Sequence, residues 1–109
     1  MPKYLIEASY SHDGLKGLVK DGGNGRKAAI EAATKAMGGR LEAMYYAFGT
    51  SDVYFIVDAP DNVTIAAFAL AVGVTGAAAH YKTTVLLTTD EVDRAVKRVP
   101  EAAYRPPGH

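Results

Sequence analysis

The chain has 109 residues, the length of one ordinary domain, and 49% of them are apolar, which is enough to supply a hydrophobic core. Twelve basic residues balance twelve acidic ones, so the chain lacks the net positive charge that drives binding to nucleic acids. It contains no cysteine, which excludes disulfides, thiolate nucleophiles, iron–sulfur clusters and the usual structural zinc sites. These properties predict a single-domain protein that does not bind DNA or RNA.

The start of the chain lacks the pattern of a secretory signal, because the apolar run after Lys3 is interrupted at Glu7. The longest apolar stretch, residues 63–79, is shorter than the roughly 20 residues that a membrane-spanning helix needs, and it contains two threonines and two glycines. We therefore expect a cytoplasmic protein with no membrane partner. The apolar stretch is expected to form a helix that is buried on most sides.

The first predicted strand runs from Tyr4 to Tyr10 and ends in a polar turn. A short helical turn over residues 15–20 is followed by a glycine-rich break at residues 22–25, where Asn24 is a candidate N-cap. A longer helix follows, because apolar residues recur at three- and four-residue spacing up to the glycine pair 38–39.

Two further strands are predicted at residues 40–48 and 52–58, and the glycine-containing loop between them fits a hairpin. After the proline that follows this hairpin, Asp61 or Asn62 is expected to cap a second helix. That helix is predicted to span residues 63–74.

The fourth predicted strand is His80–Leu87, and the Thr-x-x-Glu spacing of residues 88–91 predicts a capping box that begins a C-terminal helix. Valines and an alanine give this helix an apolar stripe, and Pro100 is expected to end it. The remaining residues, 104–109, are predicted to form a loose tail.

The predicted order of strand, helix, strand, strand, helix and strand is the split βαβ arrangement of the ferredoxin-like α+β fold. We expect one antiparallel sheet with both helices on one face, and an unrelated α+β sandwich of the same elements is the alternative. This interpretation divides the chain into a ferredoxin-like domain at residues 1–88 and a C-terminal helix with its tail at residues 89–109.

The sequence resembles the GYD-domain family, small proteins named for a Gly-x-Tyr-Asp-like signature that opens the third strand. The resemblance covers residues 4–88 and includes Gly14, Arg26, Gly38, Gly39, Tyr45, Tyr46, Phe48, Gly49, Asp52, Val57, Pro60, Asp61, Gly76, Lys82, Thr83 and Thr84. Ser51 stands where the signature has tyrosine, so no role of that tyrosine carries over. The resemblance implies a ferredoxin-like fold similar to that of the dimeric α+β barrel proteins, and it implies no particular reaction or catalytic residue.

Alternation along each strand predicts an apolar sheet face that packs against the helices and a second, mixed face. In the second strand, Ala43 and Tyr45 are assigned to the apolar face. The mixed face is predicted to carry six large apolar side chains: Met44, Tyr46, Phe48, Tyr54, Ile56 and Leu86. Because a patch of this size is typical of an interface, we expect the protein to form a homodimer or a higher homo-oligomer through this face.

Polar residues of the mixed face are the first candidates for a functional site: Glu7, Glu42, Tyr46, Tyr54, His80 and Lys82. In a partly closed cavity, His80 or Glu7 is a candidate catalytic base. Tyr46, Tyr54 or Lys82 would then stabilise an oxyanion. The same three residues and Glu42 are candidates to bind a small organic ligand. The alternative is that the charged residues form cross-strand ion pairs and that the tyrosines belong to the core.

Two other positions are candidates for ligand binding. Arg26 and Lys27, at a glycine-rich helix start, are a candidate anion site, and the alternative is that Arg26 pairs with a local acid such as Asp21 or Glu31. Asp52 is a candidate ligand-binding residue, and the alternative is that it accepts backbone N–H groups at the hairpin.

No metal or cofactor is expected, because the histidines and acids show no metal-ligand spacing. Three functions stay open. The first is a homo-oligomer that binds a small organic molecule in a sheet-lined or intersubunit pocket. The second, by analogy of fold alone, is a cofactor-independent oxygenase or isomerase, and the third is a structural or regulatory oligomer.

Overall fold

The computed structural model describes residues 1–109 and contains four strands and three α-helices. In chain order these are β1 (Lys3–Tyr10), α1 (His12–Ala36), β2 (Arg40–Tyr46), β3 (Val53–Asp58), α2 (Asn62–Gly73), β4 (Ala78–Leu86) and α3 (Thr89–Arg98), followed by a 3-10 turn at Val99–Ala102. The strands form one antiparallel sheet in the order β2-β3-β1-β4. This order confirms the ferredoxin-like α+β prediction.

The core lies between the helices and the two central strands. Alternate residues of β1 and β3 are buried, as the period of two predicts, and α2 adds two large side chains to them. The nine core residues are Tyr4, Ile6, Ala8, Val53, Phe55, Val57, Ala59, Ile65 and Phe68. Phe55 and Phe68 meet edge to face with ring centroids 6.2 Å apart, which ties α2 to the sheet.

Strand β2 contains a bulge that the sequence pattern did not reveal. Leu41 pairs with Val57, and the next pair is Ala43 with Ile56. Strand β2 therefore has one more residue than β3 between these pairs, and Glu42 has no partner of its own. An extra residue exchanges the faces of all the side chains that follow it in the strand.

The face assignment of β2 beyond this bulge was therefore wrong. Met44 and Tyr46 pack against the core on the helix side of the sheet. Tyr45 instead lies opposite Tyr54 on the other side, where it is 73% exposed. We call this second side the open face; its larger members are Leu5, Glu7, Tyr45, Tyr54, Ile56, Lys82 and Leu86.

Helix α1 consists of two segments that meet at Gly22. This glycine has φ +75°, outside the helical region, so it produces the break that the glycine-rich sequence predicts. Asn24, the expected N-cap, lies inside the second segment instead. The first segment already begins at His12, because the Ser11 hydroxyl accepts a hydrogen bond from the Gly14 N–H at 3.1 Å.

The other predicted caps are confirmed. The Asp61 carboxylate accepts the Thr64 N–H at 2.8 Å and begins α2. Thr88 and Glu91 form both hydrogen bonds of the capping box that begins α3. None of the helices combines the length and hydrophobicity that crossing a bilayer requires.

The single chain has an extended shape and exposes much of its surface. Its radius of gyration is 17.2 Å, whereas a compact domain of this length has about 13 Å. Its accessible surface is 7397 Å², compared with about 5,800 Å² expected for a compact monomer of 11.5 kDa. The excess is comparable to the area of a protein–protein interface.

Candidate functional site

The charged residues predicted for a site on the open face form cross-strand ion pairs. Glu7 pairs with Lys82 across β1 and β4 at 4.0 Å, and Glu42 accepts a hydrogen bond from Lys3 at 2.9 Å. These pairs correspond to the alternative interpretation of the charges, in which they align strands. Exposed pairs of this kind contribute little stability, typically less than about 1 kcal/mol each.

The two candidate bases do not lie next to a cavity. His80 is exposed on edge strand β4, opposite Ser9, and none of the cavities in the structure is lined by His80, Glu7 or Tyr54. No three His, Asp or Glu side chains are grouped so that they would hold a metal ion. Of the predicted polar residues, Glu7 lies between Tyr54 and Lys82 on the open face without being enclosed, whereas Tyr46 lies on the helix side.

Asp58, which the sequence did not single out, is the most connected carboxylate. It is buried at one end of β3 and accepts hydrogen bonds from Lys3 at 2.8 Å and from Arg40 at 3.1 Å. Burial alone would raise the pKa of Asp58, but the hydrogen bonds and charges of these two cations outweigh it and lower that pKa below its ordinary value. This cluster links β2, β3 and β1 at one end of the sheet.

Asp52, the retained residue of the Gly-x-Tyr-Asp-like signature, binds backbone. Its carboxylate accepts the Tyr10 N–H at 3.0 Å, and its own N–H donates to the Ala8 carbonyl at 2.9 Å. The neighbouring Ser51 is buried, with 2% of its surface exposed. Asp52 thus connects the β2–β3 hairpin to the end of β1. This agrees with the alternative in which Asp52 accepts backbone N–H groups.

A partly open space lies on the other side of the sheet, and we call it the helix-side cavity. It has a volume of about 60 Å³, and ten of its twelve lining residues are apolar. The lining residues are Ala8, Ser9, Tyr10, Arg26, Ile30, Met44, Val53, Phe55, Val72, Ala77, Ala78 and Tyr81. All four strands and both long helices, or the loops next to them, therefore meet around this cavity.

A groove between α1 and α2 adjoins this cavity and has a volume of about 370 Å³. The two spaces share four residues: Arg26, Ile30, Val72 and Ala77. Small side chains widen the groove, since α1 contributes Ala29 and Ala33 and α2 contributes Ala71. We call this space the interhelical groove.

Two phenol groups beside the helix-side cavity are buried without a hydrogen-bond partner. They are the hydroxyls of Tyr46 and Tyr81. Tyr81 lines the cavity directly, and the ring of Tyr46 packs near Gly23 of α1, next to the lining residue Arg26. Buried hydroxyls are nearly always paired, so two unpaired ones are unusual. Tyr81 belongs to the cavity wall, whereas Tyr46 lies behind it, near the wall residues Tyr10 and Arg26.

Burial also sets the ionisation of these phenols. It raises the pKa of Tyr46 to about 12; the nearby Tyr10 side chain, which does not meet hydrogen-bond geometry with it, raises this pKa further, and Arg26 opposes the shift. Burial likewise raises the pKa of Tyr81 to about 12, and the nearby Thr83 side chain, also outside hydrogen-bond geometry, opposes the shift. Both groups are therefore neutral at physiological pH and act as hydrogen-bond donors, not as bases.

Of the two predicted anion-binding residues, only Arg26 reaches this site. Its guanidinium lies 3.4 Å from the Asp21 carboxylate, which is the local pairing that the alternative foresees, and the side chain also lines both the cavity and the groove. Lys27 is exposed and lines neither space.

The sequence pointed to some members of this site but not to their assembly. Tyr46 was a predicted ligand-binding residue, yet the β2 bulge places it on the opposite face from Tyr54. Tyr10 and Tyr81 lie in predicted strands but were not singled out. The one available signal was chemical, because a tyrosine on the core side of a strand implies a buried hydroxyl that needs a partner.

Comparison with known proteins gives a family assignment. The sequence model of the GYD domain matches residues 4–96, which include the sheet except for Lys3, and also α1, α2 and most of α3. Among curated proteins, none matches the chain. Since the matched segment covers most of the 109 residues, and the sheet order is ferredoxin-like, the chain belongs to the GYD domain family.

Proposed function

We propose that this GYD-domain protein binds a small organic molecule in the helix-side cavity and the interhelical groove, and that it does so as a homo-oligomer. The molecule combines an apolar body with at least one strong hydrogen-bond acceptor, such as a carbonyl or a carboxylate. One observation carries the proposal: the buried hydroxyls of Tyr46 and Tyr81 have no partner.

An unpaired buried hydroxyl costs about 1–3 kcal/mol, and an acceptor that enters the cavity removes this cost. Both phenols are neutral donors at physiological pH, since their pKa values lie at about 12. Arg26 adds a positive charge where the cavity joins the groove, which favours an acceptor that carries negative charge. The remaining walls are nearly all apolar and suit the body of the molecule.

The available space fits a compact molecule. The groove alone has about 370 Å³, within the range of roughly 300–1,000 Å³ that small-molecule sites occupy. The cavity, at about 60 Å³, accommodates only a small group. This geometry supports a ligand whose polar end enters the cavity while its apolar part lies between the helices.

Protein-observed NMR with a library of small aromatic and aliphatic carboxylates and ketones tests the proposal. The methyl groups of Ile30 and Val72 report on the cavity and groove, whereas those of Leu5 and Ile56 report on the open face. We expect hits to shift the first pair and not the second. Hits that shift only the open-face methyls, or a library without hits, would contradict the proposed site.

Matched tyrosine variants test the role of the phenols. Tyr81→Phe and Tyr46→Phe each remove one unpaired hydroxyl, so we expect the affinity for a hit to fall by about tenfold, the effect of one hydrogen bond. Tyr54→Phe makes the same chemical change on the open face and should leave affinity unchanged. Equal affinities for all three variants would show that the hydroxyls do not bind the molecule.

The homo-oligomer part of the proposal rests on the open face and on the surface area. Tyr45 and Tyr54 lie side by side on this face, near Ile56, and no helix covers them. Large apolar patches on soluble proteins usually mark interfaces. Two copies that meet through this face would bury part of the excess surface and leave the helix-side cavity of each copy accessible.

A further inference from the structure

Helix α3 has an apolar side that its own chain leaves uncovered. None of its residues is buried, and Val92 and Val96 are 45% and 61% exposed. The helix has ten residues, whereas an isolated helix shorter than about 12–15 residues is only marginally stable in water. Its capping box stabilises one end, but the apolar side needs a partner.

The charges of α3 are divided along its axis. Its first half carries acidic residues and its second half basic ones: Asp90, Glu91 and Asp93, then Arg94, Lys97 and Arg98. Two copies of such a helix attract each other when they run antiparallel, because each acidic half then lies beside a basic half. A parallel pair would place like charges together. The charge pattern is thus complementary to itself.

The position of two charges around the helix makes this complementarity specific. At 100° per residue, Val92, Val96 and Val99 share one side. Asp93 borders this side about 60° beyond Val96, and Lys97 follows one turn later, about 100° beyond Val96. In an antiparallel pair, the Asp93–Lys97 rows of the two copies lie on the same flank of the contact. Asp93 of one copy then faces Lys97 of the second, twice by symmetry, and neither residue has an ion pair within its own chain.

We infer that α3 pairs antiparallel with α3 of a second copy of this chain, about a two-fold axis near Ala95 and Val96. Such a contact is isologous, so it closes on itself and adds one association step. It uses neither the open face nor the helix-side cavity. Its success or failure is therefore separable from that of the proposed function.

Charge exchange in the full-length chain tests the pairing by sedimentation. Asp93→Lys and Lys97→Glu each place like charges opposite each other twice, so each variant should weaken one association step on the order of tenfold. The double variant D93K/K97E exchanges the charges and should restore the wild-type association. A mixture of the two single variants should also associate, since each supplies the charge that the other lacks.

Each alternative result contradicts the inference. Single variants that keep the wild-type association would show that α3 does not pair through this border. Single variants that recover in D93K/K97E but not in their mixture would show that the charges act only within their own helix, because the double variant restores an i,i+4 pair and the mixture does not. A wild-type protein that is monomeric at high micromolar concentration would also overturn the inference.

Cross-linking locates the axis independently. The chain has no cysteine, so a single introduced one is the only thiol. Val96→Cys lies near the inferred two-fold axis and should form a disulfide-linked dimer under mild oxidation, while Ala32→Cys, on the exposed side of α1, should not. Equal cross-linking of both variants would indicate random collision and contradict the pairing.

Discussion

Gly14 and Gly17 both lie in the first turns of α1, but their surroundings differ. A Cβ atom at Gly14 would lie 2.0 Å from the carbonyl oxygen of Ala77, whereas one at Gly17 would meet nothing within 4 Å. The same carbonyl also accepts a hydrogen bond from the Ser11 N–H at 2.8 Å. Glycine at position 14 therefore sets how closely α1 approaches the segment before β4.

This contrast gives a matched pair of variants. We expect Gly14→Ala to destabilise the fold by several kcal/mol, since overpacking against backbone typically costs about 1–3 kcal/mol or more. Gly17→Ala should stabilise it by roughly 0.5–1 kcal/mol through helix propensity. Urea unfolding of both variants measures the difference. Similar stabilities would mean that α1 does not lie this close to Ala77.

Asp58 yields a prediction about pH. Its pKa in the folded state lies below the ordinary value of 3.8, so the unfolded chain binds the proton more readily. The stability contributed by this carboxylate is therefore complete above pH 3.8 and is lost as the pH falls through the lowered pKa. We expect Asp58→Asn to cost about 2 kcal/mol at neutral pH, because two charge-assisted hydrogen bonds are lost.

The cost should disappear at a pH well below 3.8, where the wild-type carboxylate is itself protonated. Urea unfolding at several pH values measures this dependence. Glu31→Gln, on the exposed side of α1, is the control and should show little effect at any pH. A cost for Asp58→Asn that stays constant with pH would exclude the ionised cluster with Lys3 and Arg40 as its source.

At the level of elements, local signals were sufficient for most of the fold. The alternation of Tyr4, Ile6 and Ala8, and the cap residues Asp61 and Thr88, predicted strands and helix starts that the structure confirms. These signals depend only on neighbouring residues and on the period of each element. The ferredoxin-like order then followed from the sequence of elements.

The bulge in β2 shows where such reasoning fails. Leu41, Ala43 and Tyr45 form one apolar series, and Met44 and Tyr46 form another, so either phase agrees with the sequence. The choice is made by pairing with β3, a contact between separate elements. The candidate site could not be predicted for the same reason, because its cavity exists only where four strands and two helices meet.

For the whole molecule, the open face leads to a prediction about assembly. Tyr54→Arg would place an unpaired charge at the centre of the proposed contact, so we expect it to weaken or abolish that association step. Tyr104→Arg introduces the same side chain in the C-terminal tail and should have no effect. Sedimentation at micromolar concentration compares the two. An unchanged mass for Tyr54→Arg would remove the open face as the interface.

The sheet order also has a consequence for how the chain is made. Strand β1 leaves the ribosome before both of its neighbours in the sheet, β3 and β4. Tyr4 and Ile6, which are completely buried in the folded protein, have no strand partner until Val53–Asp58 has been synthesised, and β1 lacks its second neighbour until Ala78–Leu86 follows. Folding of this sheet is therefore expected only after β4 has been synthesised, and until then the apolar strand β1 remains incompletely paired in the nascent chain.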